Sequence, residues 1–340
     1  MSITPAVVSR IKFIGGMNIA EKRVPQDGRV NFKSGDKDID LRISSIPSVF
    51  GEKIVIRIAT ALGLNLKRDE IGFLPANMRL FDTVINKDHG IVLVTGPTGS
   101  GKSTTLYTVL REKNNDEINI VTVENPVENI IPGITQVDIN VKAGLTFASV
   151  LRSILRQDPD IIMVGEIRDQ ETADLATTAA ITGHLVCSTL HTYDAPSAVI
   201  RLCDLGVEPF LVSAALVGVI SQRLIRKICP RCKVSYQASQ EELDVLKPIL
   251  EEGERSITLY KGEGCSYCNN TGYKGRTAIH EIMPVTPRLR RAIYDRASVD
   301  EIKAIAIEEG MITLYEDARI RVLQGVTSYE EFLSFYISIQ

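Results

Sequence analysis

The stretch GPTGSGKST, residues 96–104, follows the apolar run IVLVT and leads into TLYTVL. Gly96, Gly101, Lys102 and Ser103 stand at the spacing of a complete nucleotide-phosphate motif, in its required setting of strand, glycine loop and helix. Gly96, Gly99 and Gly101 let backbone N–H groups converge on phosphate oxygens at the positive end of a helix. Thr98, Ser100 and Thr104 belong to the same loop and its exit. Lys102 is placed to neutralise β and γ phosphates and Ser103 to hold Mg2+. The expected ligand is a nucleoside triphosphate.

Hydrolysis also needs acids beside the metal and the attacking water. Glu166 ends the apolar strand of DIIMVGEIRD, at the carboxyl edge of a sheet, where ligands gather in such folds. Glu124 and Glu128 follow the run INIVTV and bracket Asn125 and Pro126. They either position a metal-bound water or cap the loop, and spacing does not choose between Glu128 and Glu166 as the base. His184 and His191 flank an apolar strand in TGHLVCSTLHTYDA, at a separation foreign to the zinc-protease helix pattern. A histidine at such a strand end can sense a γ phosphate or serve as hydrogen-bonded structure. Arg223 and Arg226, in SQRLIRKICPRC, either reach phosphate or cover the sheet.

The cysteines form two C-x2-C pairs, Cys229 with Cys232 and Cys265 with Cys268. Brought together they offer four thiolates, a tetrahedral zinc site with no open position and therefore a structural role. Iron held by four thiolates, or a disulfide or redox pair, are the alternatives. Cys187 and Cys203, in apolar surroundings, read as packed side chains.

These groups need a scaffold to converge. The chain has 340 residues and a formal charge of -3, enough for two modest domains and without the basic excess of a nucleic-acid binder. Residues 1–65 carry a helix-compatible pattern interrupted at Gly15 and Gly16, then the alternating runs KDIDLRISSIPS and GEKIVIRIA between the turn-rich VPQDGR and SGDK. This predicts a small α+β domain. Residues 66–76 read as a linker. From 77 onward apolar runs at 91–95, 118–123, 161–165 and 185–190 alternate with helical patterns, as an α/β core demands. FLVSAALVGVI, 210–220, reads as a buried helix, too short for the roughly 20 residues of a lipid-spanning one. Residues 229–276 look like an insertion carrying the cysteines and the charged QASQEELDVLKPILEEGERS. A helical region, 280–340, closes the chain with TPRLRRAIYDR, SVDEIKAIAIEEG and LYEDARIRVLQG. The N-terminus has no export signal, which with the cysteine pattern points to a reducing cytoplasm.

The ordered series AEKRVPQDGR, GEKIVIR, GPTGSGKSTTLY, VENPVE, LRSILRQDPDIIMVGEIRD, TGHLVCSTLHTYDA, QRLIRKICPRC and CNNTGYKGRTAIHEIM resembles the assembly and secretion ATPases of type IV pilus and type II secretion systems. The resemblance covers nearly the whole chain. It implies a Mg-dependent ATPase: a RecA-like motor domain behind a small, PAS-like α+β domain, assembled as a homo-hexameric ring with ATP between the domains and at subunit junctions. It also implies an inner-membrane platform protein as partner and a cytoplasmic location held peripherally at that membrane, while the near-neutral charge and the short apolar runs predict neither nucleic-acid binding nor membrane insertion. Lys102 and Ser103 match the family's phosphate lysine and metal-side serine. Glu124 and Glu128 match its acidic box, with Glu128 resembling the glutamate that activates water. Glu166 matches the glutamate that organises Mg2+ and water. His184 and His191 match the histidine box, Arg42 and Arg57 the nucleotide-reaching arginines of the small domain, and Arg223 an arginine on the base and sugar side.

Asn125 stands where the family commonly has Asp, and Tyr193 where it commonly has Asn. The chain starts inside the resemblance, without the N-terminal docking domains of full-length relatives. Three functions compete: an assembly or secretion motor, a pilus retraction ATPase, and a nucleotide-dependent scaffold that hydrolyses weakly. Retraction members generally lack the four cysteines, which favours the first.

Overall fold

Pro5 lies in the first turn of α1 (Thr4–Ile14), where a missing N–H breaks no helical bond, and the helix stops at Gly15. The structure, a computed structural model, describes residues 3–34, 37–60, 66–246 and 257–337. Behind α1 follow β1 (Gln26–Ser34), β2 (Lys37–Ser48) and β3 (Gly51–Thr60), an antiparallel sheet in the order β1-β2-β3. The reading of VPQDGR as a turn is corrected here, because Gln26 to Arg29 already pair with Ser45 to Arg42. Asp27 and Gly28 are poor strand formers, but β1 is an edge strand. A Cβ on Gly28 would lie 2.2 Å from the Gly15 carbonyl oxygen, so the close pass of the α1 end requires glycine. Part of SGDK lies outside the described residues.

Lys12 is buried. Its Nζ donates to Glu52 Oε1 and to the Glu21 carbonyl oxygen, both at 2.6 Å, and Ser45 Oγ donates to the same carboxylate oxygen at 3.1 Å. A charged pair thus sits beneath the helix, with its polar atoms matched. Residues 1–66 make one compact unit and residues 67–340 a second.

The second unit starts with α2 (Arg68–Ile71) and α3 (Pro75–Ile85), so the stretch read as a linker is partly helical. Then come β4 (Gly90–Thr95), α4 (Lys102–Lys113), β5 (Ile120–Glu124), β6 (Thr135–Asp138), α5 (Phe147–Ile154), β7 (Ile161–Val164), α6 (Gln170–Ile181) and β8 (Leu185–Leu190). They continue with α7 (Pro196–Asp204), α8 (Pro209–Ala215), β9 (Leu216–Ile228), β10 (Lys233–Gln237), α9 (Gln240–Leu246), β11 (Thr258–Gly262) and β12 (Tyr273–Pro284). A seven-stranded sheet has the order β12-β9-β4-β8-β7-β5-β6. β12 runs antiparallel at one edge and the other strands are parallel, which gives a RecA-like core. The central strands β4, β5, β7 and β8 are buried along their whole length, as continuous apolar runs between two helical layers should be.

FLVSAALVGVI is not one helix: α8 ends at Ala215 and β9 begins at Leu216. A short apolar run buried on every side looks the same as helix or strand, and pairing decides it. β9 bonds both β4 and β12. A Cβ on Gly218 would lie 2.5 Å from the Val84 side chain, so α3 packs directly on the strand at this glycine.

β10 and β11 form a separate two-stranded sheet, and residues 247–256 of the charged stretch lie outside the described residues. β12 runs on to Pro284, so the terminal helices start later than 280: α10 (Pro287–Tyr294), α11 (Val299–Glu308), α12 (Leu314–Leu323) and α13 (Tyr329–Ile337). Capping boxes of Ser298 with Glu301 and Thr313 with Glu316 open α11 and α12. The last two helices share an apolar cluster with Leu246, Leu259, Ile225 and Ile279, which ties the cysteine-bearing segment to the core. Among the described residues no helix is long and apolar enough to cross a membrane.

Candidate active site

β4 delivers the phosphate loop and α4 leaves it. Gly96 (φ 139°) and Gly101 (φ 92°) adopt backbone that favours glycine, and a Cβ on Gly96 would meet the Gln222 carbonyl oxygen at 2.4 Å. Lys102 folds back over the loop, its Nζ donating to the carbonyl oxygens of Gly96 at 2.7 Å and Pro97 at 3.1 Å. Burial pushes its ammonium down to about 8, opposed by the Glu166 charge and reinforced by Arg223. Ser103, Thr98 and Gly99 are exposed, Thr104 is half-buried, and Ser100 is buried with its hydroxyl unpartnered. Gln222 holds the loop from β9: its Nε2 donates to the Ser100 carbonyl at 2.7 Å, and its Oε1 accepts from Thr105 Oγ1 at 2.8 Å.

Because β4, β8, β7 and β5 are parallel, their carboxyl ends open on one edge. Glu166, just past β7, forms an ion pair with Arg168 Nε at 2.5 Å and has His191 Nε2 at 3.9 Å. Burial, then the Lys102 charge, push His191 below its ordinary value against the pull of Glu166, which favours the neutral ring. The loop behind it is held where Glu281 Oε1 accepts from the Ala195 N–H at 2.7 Å. His184 is not brought to this edge. It stands at the amino end of β8, roughly 20 Å away along a six-residue strand, with Nδ1 2.9 Å from the Ala179 carbonyl oxygen. The two arginines of SQRLIRKICPRC also part. Arg223 places its guanidinium 5.5 Å from the Tyr193 ring, with Nε and Nη2 buried and unpartnered. Arg226 pairs with Glu331, Nε to Oε2 at 2.7 Å, and lies over Tyr273.

Of the two roles left open for the acidic box, the surroundings of Glu124 match the loop-holding one. Glu124 is only 4% exposed. Its Oε1 accepts from Thr122 Oγ1 at 2.6 Å and from Gln136 Nε2 at 3.1 Å, and its Oε2 accepts a short bond from the Tyr107 hydroxyl. That hydroxyl in turn accepts from the backbone N–H groups of Glu128 at 3.0 Å and Asn129 at 3.4 Å. Glu128 itself is half-buried on the loop so held. Sequence reasoning missed Tyr107, Gln136, Arg168 and Gln222. Tyr107 and Gln222 lie inside the quoted GPTGSGKSTTLY and next to Arg223, but nothing in their spacing tells what they bond.

In the first unit Arg42 is the register partner of Arg57 on β3 and of Arg29 on β1, so three arginines share one face of that sheet. Arg29 is an addition to the two read from sequence.

The four cysteine sulfurs lie within 4.8 Å of one another, with Cys229–Cys265 and Cys232–Cys268 at 3.8 Å and Cys265–Cys268 at 3.7 Å. Tetrahedral sulfur around zinc, with bonds of about 2.3 Å, has edges of about 3.8 Å, so the residues fit that ion.

A family model described as Type II/IV secretion system protein matches residues 1–334. Over 330 residues the chain is 53% identical to a protein of Thermus thermophilus named Type IV pilus assembly ATPase PilB, covering 97% of this chain and 37% of that one. It is 45% identical over 327 residues to the Type II secretion system protein E of Pseudomonas aeruginosa, covering 96% of this chain and 64% of that one. The chain therefore spans between about a third and two thirds of the length of these relatives. In fold it is similar to the ATPase DotB of Yersinia pseudotuberculosis, with TM-score 0.68 and 19% identity over 98% of this chain and 82% of that one. The Legionella pneumophila DotB structure gives TM-score 0.65 and 21% identity, covering 92% of this chain and 78% of that one. With the family match running almost from end to end, the chain belongs to the Type II/IV secretion system protein family, the superfamily of the type IV pilus and type II secretion ATPases.

Proposed function

We propose that this chain is the ATP-hydrolysing motor portion of a type IV pilus assembly or type II secretion machine. The observation that carries the reading is the meeting, at one sheet edge, of the phosphate loop, Glu166, His191 and the Glu128 loop. Lys102 exchanges its two carbonyl acceptors for β and γ phosphate oxygens, whose charge offsets the burial that weakens its ammonium. The Ser103 hydroxyl and Glu166 carboxylate are hard oxygen donors of the kind Mg2+ takes, and that ion when bound neutralises phosphate charge. Glu128 is the base that takes the proton of the attacking water, and Glu166 orders the metal side. His191, a neutral hydrogen-bonding ring beside Glu166, senses the γ phosphate. Arg223, whose buried Nε and Nη2 lack hydrogen-bond partners, takes the base and sugar side.

Arg42 and Arg57 supply charge to a nucleotide held by another copy in a homo-hexameric ring, which moves an inner-membrane platform protein. The 53% and 45% identical relatives, a type IV pilus assembly ATPase and a type II secretion system protein, support assembly or secretion over retraction. Steady-state phosphate release tests the reading: wild type should turn over ATP, Lys102→Ala should not, and a wild type without turnover would leave a nucleotide-binding scaffold. For the ring, Arg57→Ala chains mixed with Glu166→Gln chains should regain part of the activity each lacks alone. No recovery at any ratio would place Arg57 in service of its own chain.

Cys229, Cys232, Cys265 and Cys268 are proposed to hold one structural zinc. Elemental analysis should return about one zinc per chain. Cys265→Ser should speed amide exchange across residues 229–276 while ADP still binds. A chain purified free of metal with protected amides there would refute the site.

A further inference from the structure

Tyr107 belongs to none of the groups assigned above, yet it joins two of them. It sits on α4, the helix that begins at Lys102, and is 1% exposed. Its hydroxyl has one proton to give and spends it on Glu124 Oε2; its lone pairs face the N–H groups of Glu128 and Asn129. Glu124 in turn takes bonds from Thr122 and Gln136, and Gln136 spans the loop, its Nε2 donating to the Asn129 carbonyl at 3.0 Å and its Oε1 accepting from the Ile131 N–H at 2.7 Å. A carboxylate already serving three donors inside the protein has little left to offer a water in the site. The backbone of Glu128 is therefore tied to the phosphate-loop helix through one phenol oxygen.

We infer that Tyr107 and Glu124 are positioning residues: the Tyr107 hydroxyl, fixed by Glu124, sets where the Glu128 backbone lies relative to the helix that carries Lys102 and Ser103. The inference rests on the proposed role of Glu128 as base. A group one bond removed from the chemistry should affect turnover and not affinity, because Lys102 and the glycine loop bind nucleotide without it. Burial and the adjacent carboxylate raise the phenol well above its ordinary range, so the hydroxyl stays a donor at every working pH.

The test compares the 340-residue chain with its Tyr107→Phe variant, which keeps the ring and removes the oxygen. Expected are a kcat about 10- to 100-fold lower, an unchanged KM for ATP, and faster amide exchange confined to Glu128 and Asn129. In a Glu128→Gln background the same substitution should cost almost nothing further, since the base it positions is already gone. Unchanged kcat, a KM that rises in step with the loss, or full additivity with Glu128→Gln would overturn the inference. Should Tyr107→Phe unfold because it strands the buried Glu124, Tyr107→Phe combined with Glu124→Gln removes both partners and is read in the same way. If wild type shows no turnover at all, the hydrolysis reading has failed by itself; the exchange arm then decides the positioning, and unaltered rates at residues 128 and 129 would refute it.

Discussion

Glu128→Gln is expected to lower ATP turnover by about 10²- to 10⁴-fold and leave ADP affinity unchanged. Gln has nearly the same shape and keeps the loop bonds made by the residue 128 backbone, which do not involve the side chain. It cannot accept the proton of an attacking water. Glu166→Gln should behave differently. That carboxylate already faces Arg168 and His191 and is proposed to order the metal side, so its loss should raise the Mg2+ concentration needed for half-maximal rate as well as slow turnover. Phosphate release measured across a Mg2+ titration separates the two. If Glu128→Gln retained wild-type rate while Glu166→Gln abolished it at every Mg2+ concentration, the base would have to be reassigned to Glu166.

In the N-terminal unit, Lys12→Met is expected to cost about 3–5 kcal/mol, because it leaves the Glu52 carboxylate buried without its partner. An exposed pair would be worth no more than about 1 kcal/mol, but side-chain exposures of 1% for Lys12 and 7% for Glu52 exclude that class. The pH dependence has a definite sign. Its hydrogen bond to Lys12 holds the Glu52 carboxyl below its ordinary value. Its stabilisation is therefore complete above that ordinary value and fades as pH falls through the lower folded one. In Lys12→Met the remaining buried carboxyl should prefer its protonated form, so the variant should recover stability on acidification where wild type loses it. Amide exchange in β2 and β3, followed from neutral pH to about pH 3, reads both effects. A loss under about 1 kcal/mol, or parallel pH curves for the two chains, would contradict the account. Lys12→Met with Glu52→Leu should regain most of the deficit, since an apolar pair of similar volume carries no desolvation cost.

What the chain declares locally was legible. The glycines of residues 96–101 must bend because their left-handed φ angles are a property of glycine itself, and a strand and helix beside them can be read from apolar period alone. The caps of α11 and α12 likewise reside within four residues. Each C-x2-C pair by its spacing puts two sulfurs on one short turn, whereas the approach of all four to within 4.8 Å of one another needed the fold. Other features depend on which strands become neighbours, and a single sequence does not state that. Gly218 and the LVGVI run became strand because β9 found β4 and β12 on either side. His184 and His191, equivalent in the sequence, were sent to opposite ends of β8. Glu124 and Glu128, four residues apart, were divided into a buried anchor and a loop acid by a tyrosine 17 positions earlier. Gln222 reaches Thr105 across 117 positions. Lys12 meets Glu52 across 40. Backbone preferences and caps act over one turn of chain, so the primary structure carries them outright; hydrogen bonds between distant side chains exist only after the sheet has chosen its order, and that order decided which of the sequence's charged residues face the phosphate-loop edge and which hold the loops that do.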